Sequence, residues 1–414
     1  INYQLLMSVF SISSAIADQI MDDWFAIALW GLLLFQVPAT FILLSRLIKG
    51  ARRFPPLSPR MTTPEQLGTV SIVVPTLNEA NRITPCLEGL TKQGYEVREI
   101  LVVDSHSTDG TPELVKKAQQ HDPRFRLLND DPLPSTWVGR PWALHNGFLA
   151  SSEKSEWILG IDADTQPQPG LVSALIATAT CQGYDLLSLS PQFQLKSPGE
   201  WWLQPALLMT LLYRFDVAGV KPNPPDRVMA NGQCFLARRE ALSALGGYSA
   251  AKDSFCDDVT LARYAASQGY RVGFLDGAKV IKVRMYEGMK ETWQEWGRSL
   301  DLKDAATPSL LVVELWVLTA LQALPLPLFL GLAVRFLTGE TGLMFLLAGG
   351  VNGGLLLMRL GLLLAVANSY DRAGSSSSWL FWLSPIADIP AVVRIFLSAS
   401  QRPKQWRGRV YEGS

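Results

Sequence analysis

The stretch Glu156–Thr165, EWILGIDADT, decides the reading of this chain. An apolar run, Trp157 to Ile161, stops at two aspartates separated by one residue. On an extended backbone, side chains two positions apart point to the same face, so Asp162 and Asp164 can reach one divalent cation. A hard cation such as Mg²⁺ or Mn²⁺ takes oxygen ligands, and a bound diphosphate supplies further ones. The same pair also fits a turn carrying two solvated carboxylates, so its surroundings must discriminate.

Upstream, the pattern alternates regularly. Val70 to Pro75 (VSIVVP) is a short β-branched run, followed by Asn78-Glu79 and a helix-like stretch to about Thr91. Glu99 to Asp104 (EILVVD) predicts a second buried strand, with a helix through Gln120; Phe125 to Leu128 predicts a third, and Pro141 to Ser151 a further helix. Continuous apolar strands alternating with amphipathic helices indicate an α/β domain with a parallel sheet. Ligands of such sheets bind beyond the carboxyl ends of the strands. Asn78 and Glu79, Asp104, and Asp162 with Asp164 all fall at that edge.

Outside this region the composition changes. The 414 residues carry 37 basic and 37 acidic side chains, so no charge excess points to nucleic acid. Trp24 to Ile48 is apolar and long enough to span a bilayer, as are Ser309 to Leu337 and Leu343 to Ala367. Trp379 to Ser398 contains Pro385, Asp388, Pro390 and Arg394 and reads as interfacial or re-entrant. Three spans are expected, with four possible. Arg46, Lys49, Arg52, Arg53 and Arg60 follow the first span, which predicts a cytoplasmic soluble domain in an integral membrane protein. The first twenty residues have no basic n-region and are expected to be an extension, not a cleavable signal. The expected layout is therefore 1–20 extension, 21–50 membrane helix, 51–305 cytoplasmic domain, 306–400 membrane and interfacial helices, and 401–414 cytoplasmic tail. Cys86, Cys181, Cys234 and Cys256 have no paired spacing and read as free thiols.

The order VVPTLNE (Val73–Glu79), VVDSHSTDGT (Val102–Thr111), DAD (Asp162–Asp164) and Asp257-Asp258 resembles family 2 glycosyltransferases of GT-A fold. The membrane layout and VRMYEGMKETWQEWGR (Val283–Arg298) are similar to bacterial carotenoid and hopanoid-associated lipid glycosyltransferases, and more distantly to ceramide glucosyltransferase. The resemblance implies a GT-A Rossmann-like mixed sheet inserted between transmembrane helices. It further implies an inverting, metal-dependent hexosyltransferase, with Mg²⁺ or Mn²⁺, a UDP-sugar donor and a membrane-lipid acceptor.

Residue by residue, the resemblance places Pro75, Glu79 and Asp104 at the nucleotide, although Glu79 also fits a helix-start acid and Asp104 a cap. Asp109 reads as a turn residue. Arg140, in GRPWAL, is placed beside the donor diphosphate, where many relatives have lysine. Asp162 and Asp164 are the metal ligands, with Asp162 also on the donor side. Asp258 is placed as the base that takes the acceptor proton, and Asp257 stands where glutamate is commoner, although both acids also fit simple capping at a helix N-terminus. Trp293–Arg298 departs from the family's Q/R-x-x-R-W; its nearest match, W-x-K, puts Trp296 on the acceptor side and Arg298 on the diphosphate. Gln233, in Asn231-Gly232-Gln233, is an acceptor-side candidate. Glu200 to Asp216 is apolar but contains Pro205, Arg214 and Asp216; it reads as an interfacial helix on the bilayer, with a buried core helix as the alternative.

The favoured function is hexose transfer from a UDP-sugar to a lipid hydroxyl, a carotenoid first and a hopanoid or sphingolipid second. A processive polysaccharide synthase would require more spans and an intact Q-x-x-R-W. A transporter or scaffold would leave the acidic strand ends without a purpose.

Overall fold

The computed structural model describes residues 2–221, 224–299, 307–400, 405–406 and 409–410, with side chains described for 23–221, 224–296 and 307–400. The strands are β1 (Val70–Thr76), β2 (Val97–Asp104), β3 (Phe125–Asn129), β4 (Trp157–Ile161), β5 (Thr165–Pro167), β6 (Leu186–Ser190), β7 (Gln192–Gln194), β8 (Cys234–Arg238), β9 (Val272–Asp276), β10 (Ile281–Val283) and β11 (Tyr370–Asp371). The N-terminal helix is α1 (Asn2–Gly50), and those among the strands are α2 (Thr84–Thr91), α3 (Thr111–His121), α4 (Gly139–Ala150), α5 (Leu171–Gln182), α6 (Pro198–Arg214), α7 (Arg239–Ala244), α8 (Asp257–Ser267) and α9 (Gly288–Ser299). The remainder are α10 (Pro308–Leu318), α11 (Pro325–Leu337), α12 (Leu343–Val366) and α13 (Asp388–Ser400).

Seven strands form one sheet in the order β3-β2-β1-β4-β8-β6-β9. β1 pairs in parallel with β2 and β4, as the alternating pattern requires, but β8 runs antiparallel to both β4 and β6. The sheet is therefore mixed, as in the GT-A fold, and not all-parallel. All seven residues of β1 are buried, which fits a central strand covered on both faces. Ile72, Val74, Ile100 and Leu159 pack on one side with α2 and α5, while Val73, Leu101 and Ile158 pack on the other with α4, α7 and α8. The antiparallel insertion has a consequence for chemistry. It turns the N-terminal end of β8 to the edge where β1 and β4 present their carboxyl ends.

A third core joins the sheet domain to the apolar helices. α6 starts at a capping box, Ser197 with Glu200, and buries Trp201, Leu203, Ala206, Leu207 and Met209 against α9, α10 and α13. The interfacial placement expected for this helix is thus corrected: it is a core helix, and Arg214, fully buried, pairs with Glu314 of α10 at 2.8 Å. Burying a guanidinium is tolerated only with such a partner.

Among the described residues, three helices are long and apolar enough to cross a membrane: Asp23–Gly50, Leu343–Ser369 and Ser378–Ser400. Pro308–Ala323 and Pro325–Leu337 are bent by 41° at their break, a broken span or a re-entrant loop. Ser378–Ser400, expected to be interfacial or re-entrant, is thus of membrane-crossing length, and 308–337, expected to be one span, is bent. Pro325 cannot continue the hydrogen-bond ladder after the π-turn Thr319–Ala323. Asp388, which counted against a span, is neutralised by Arg359 of α12 at 2.9 Å and accepts from Gln322. Gln36 of α1 likewise bonds Asn352 of α12 at 3.0 Å. The boundary expected at residue 20 falls inside α1, which is continuous from Asn2 to Gly50.

Candidate active site

Strand ends assemble the site. β4 delivers Asp162, whose N–H donates to the carbonyl of Gln233 at 3.3 Å, because Ile161 and Cys234 are register partners across the antiparallel pair. The Asn231-Gly232-Gln233 turn that opens β8 thereby lies beside the Asp162-Ala-Asp164 turn. α8 then brings Asp257 and Asp258 to the same place in its first turn, where the helix dipole favours negative charge.

Arg140, at the start of α4, ties these pieces together. Its Nε and Nη2 donate to Asp162 Oδ1 at 3.0 and 2.9 Å, its Nη1 pairs with Asp257, and Nη2 also donates to the Gly232 carbonyl at 2.8 Å. Burial alone lowers a guanidinium's pKa, but Asp162, Asp257 and Asp258 outweigh it and keep Arg140 charged. The arginine expected beside a diphosphate is here engaged by protein carboxylates, so its visible work is to hold the acidic groups in register.

Asp258 is fixed by the backbone. Its Oδ2 accepts from the Gly232 N–H at 2.6 Å and its Oδ1 from the Val259 N–H at 2.9 Å. Burial raises its pKa against the opposing pull of Arg140 and those two donors. Asp257 is pushed up to about 6, by burial first and by Asp258 and Asp162 after it, despite Arg140. Two neighbouring carboxylates in one low-dielectric pocket resist full ionisation. Gly232 was not singled out in the sequence, yet it touches both sides of the site. A Cβ there would meet Arg140 Nη2 at 2.4 Å. The available signal was a glycine at a strand opening between two amide side chains.

These groups line one cavity of about 330 Å³, together with Pro75, Glu79, Asp164, Gln233 and Trp296. Its other wall is apolar: Leu208, Leu211 and Leu212 of α6, and Leu362, Ala365 and Val366 of the membrane-length α12. Trp296 is buried, with its ring 6.1 Å from Phe193 and 5.8 Å from Tyr286. The side chain of Arg298 lies outside the described residues. Asp104 does not line the cavity. Its Oδ1 accepts from Thr76 and Ser107 at 3.1 and 2.6 Å and its Oδ2 from the Ser107 N–H at 2.9 Å, so it closes the turn after β2. Asp109 is a turn residue as expected, accepting from Ala80 and Thr111. All four cysteines are free.

Asp162 and Asp164 are compatible with a divalent cation. Both supply hard oxygen donors to the cavity. Arg140 occupies Asp162 Oδ1, and no hydrogen bond among the described residues goes to Oδ2. Among the described residues no cluster of three or more His, Cys, Asp or Glu could hold a metal alone. A cation here would draw the rest of its shell from a ligand and water.

The carboxyl ends of β1 and β4, facing an inserted antiparallel strand, carry a carboxylate rim on a GT-A fold. Residues 71–246 match the family model described as glycosyl transferase family 2. Asp257, Asp258 and α9 lie beyond the matched stretch. The 4,4'-diaponeurosporenoate glycosyltransferase of Staphylococcus haemolyticus is 24% identical over 64% of this chain and 71% of that protein. The beta-monoglucosyldiacylglycerol synthase of Synechocystis is 24% identical over 66% of this chain, which spans only 54% of that relative. In fold, the chain resembles a mannosyltransferase from Pyrobaculum calidifontis solved with GDP-Man and Mn²⁺, with a TM-score of 0.50 and 18% identity over 90% of this chain and 97% of that one.

Proposed function

We propose that this chain is a family 2 glycosyltransferase that moves a hexose from a UDP-sugar to a hydroxyl of a membrane lipid, with inversion, and that the lipid is a carotenoid. The observation that carries this reading is the shape of the cavity. Its acidic end holds Asp162, Asp164 and Asp258, and its apolar end is walled by α6 and by α12, a helix of membrane-crossing length. A polymer-synthesising or water-facing acceptor site has no use for an apolar wall at that position. The cavity accommodates a sugar and the end of a lipid, whose chain stays among the exposed apolar side chains of the helices. The names of the two relatives, one carotenoid-related and one a glycolipid synthase, support a lipid acceptor.

In the proposed mechanism Asp258 accepts the hydroxyl proton as the acceptor oxygen forms its bond to the anomeric carbon. The bond from that carbon to the diphosphate breaks on the opposite face, and the nucleoside diphosphate departs with the bonding pair. The Gly232 and Val259 N–H groups orient the Asp258 carboxylate for this step. Arg140 keeps Asp257 and Asp162 in register, and Glu79 and Pro75 wall the donor side. A Mg²⁺ or Mn²⁺ ion held by Asp162 and Asp164 would offset the charge of the diphosphate. Gln233 and Trp296 stand toward the acceptor.

Mass spectrometry of lipid extracts from cells with and without the protein tests this reading. A hexosylated carotenoid present only with the protein is expected. An unchanged lipid profile beside a new water-soluble glycan would refute it.

A further inference from the structure

Helix α9 lines the cavity on the proposed acceptor side, and an ion pair between Glu291 and Arg82 connects it to the proposed donor side. Arg82 lies in the turn Glu79–Ile83, where the Arg82 and Ile83 N–H groups both donate to the Glu79 carbonyl at 2.9 Å. Its Nη2 donates to Glu291 Oε1 at 2.8 Å and its Nη1 to the Met285 carbonyl at 3.2 Å. Glu291, Glu295, Trp296, Met285 and Glu79 all line the cavity. A single side chain thus bridges the turn that walls the donor and the segment that walls the acceptor, 209 positions apart in sequence.

Other contacts give that bridge its leverage. Glu291 Oε2 accepts from the Glu287 N–H at 2.8 Å, so the same carboxylate closes the first turn of α9. Glu200 of α6, fully buried, accepts from the Gly288 N–H at 2.6 Å, and Arg394 of α13 donates to the Trp293 carbonyl at 2.6 Å. Those two contacts fasten α9 to the helical side of the molecule. Arg82 ties α9 to the sheet domain through its ion pair with Glu291, and it is about one-fifth exposed, sheltered enough for the pair to hold.

We propose that Arg82 is a positioning residue for transfer: through Glu291 it sets the distance between the donor-side turn and the α9 wall, so that the lipid hydroxyl and not water reaches the anomeric carbon. The inference rests on the glycosyl-transfer reading above and deepens it. Loosening α9 widens the gap between donor and acceptor walls while leaving the contacts that hold Asp258 and Asp162 intact, so the bound donor remains reactive toward water.

The test compares full-length wild type with Arg82→Gln, Arg82→Lys, Glu291→Gln and the double variant Arg82→Gln/Glu291→Gln in lipid vesicles containing the acceptor. Donor hydrolysis and transfer are measured in the same reaction, with thermal melting as a folding control. Arg82→Gln is expected to raise the hydrolysis-to-transfer ratio about tenfold, in line with the sensitivity of transfer rates to small misplacements. Arg82→Lys should recover part of it, and the double variant should be no worse than the poorer single one. An unchanged ratio in folded Arg82→Gln, or effects of the two single variants that multiply in the double, would overturn the proposal. Absence of any lipid product from wild type would instead refute the transfer reading itself, so the two failures are told apart.

Discussion

At Asp258 a carboxylate is held by two backbone donors inside a pocket that disfavours its charge. Asn at this position preserves shape and cannot take a proton. Asp258→Asn is expected to cut the transfer rate by about 10²–10⁴-fold with donor affinity little changed, read by steady-state kinetics beside a donor-binding titration. Because burial raises the Asp258 pKa, the protonated, inactive form persists to higher pH than for an ordinary carboxylate at about 3.9. Activity therefore falls, as pH is lowered, through a limb displaced upward from that value, and a pH profile of kcat/KM shows it. Gly232 is the second residue-scale test. A Cβ at 2.4 Å from Arg140 must displace the guanidinium, so Gly232→Ala should lower kcat about 10²-fold in protein that melts close to wild type. Asp162, Asp164 and Asp258 were legible in sequence because carboxylates at a strand end and at a helix start carry a local signature. Asp104 carried the same signature and is a turn closure. Its partner Ser107 is three residues away, and sequence alone does not tell whether that hydroxyl or a ligand takes the carboxylate.

Elements were legible where periodicity is local and ambiguous where burial comes from distant partners. β1, β2 and β4 read directly as apolar runs. The antiparallel β8 did not, since direction leaves no mark in a short apolar strand, yet it brings Gly232 to the site. α6 is the clearest case of misplacement. Arg214 reads as a residue for water or the interface until its partner Glu314, 100 positions later, is seen. Arg214→Ala would strand the Glu314 carboxylate in the core and is expected to destabilise the protein by about 3–5 kcal/mol, measured as a lowered melting temperature in detergent. Replacing both by apolar residues of similar volume should return most of that loss. In the same way, Asp388 argued against a membrane-length helix until Arg359 supplied its counter-charge.

For the whole molecule, the decisive relation is between two surfaces that sequence presents as separate domains. The acidic rim belongs to the α/β sheet and the apolar wall to helices outside it, and the two meet in one cavity. No window of sequence shows that α12 comes to lie opposite Asp258; tertiary packing through α6 and α9 creates the contact. The most direct test uses purified full-length protein in lipid vesicles loaded with a carotenoid alcohol, given a radiolabelled UDP-sugar and Mg²⁺ or Mn²⁺, and followed by organic extraction. Label is predicted to appear in the organic phase as a single glycolipid, to disappear on chelation of the cation and to be lost in Asp258→Asn. Label confined to the aqueous phase as free sugar or polymer, with UDP-sugar consumed, would contradict a site built to join a sugar nucleotide to a membrane lipid.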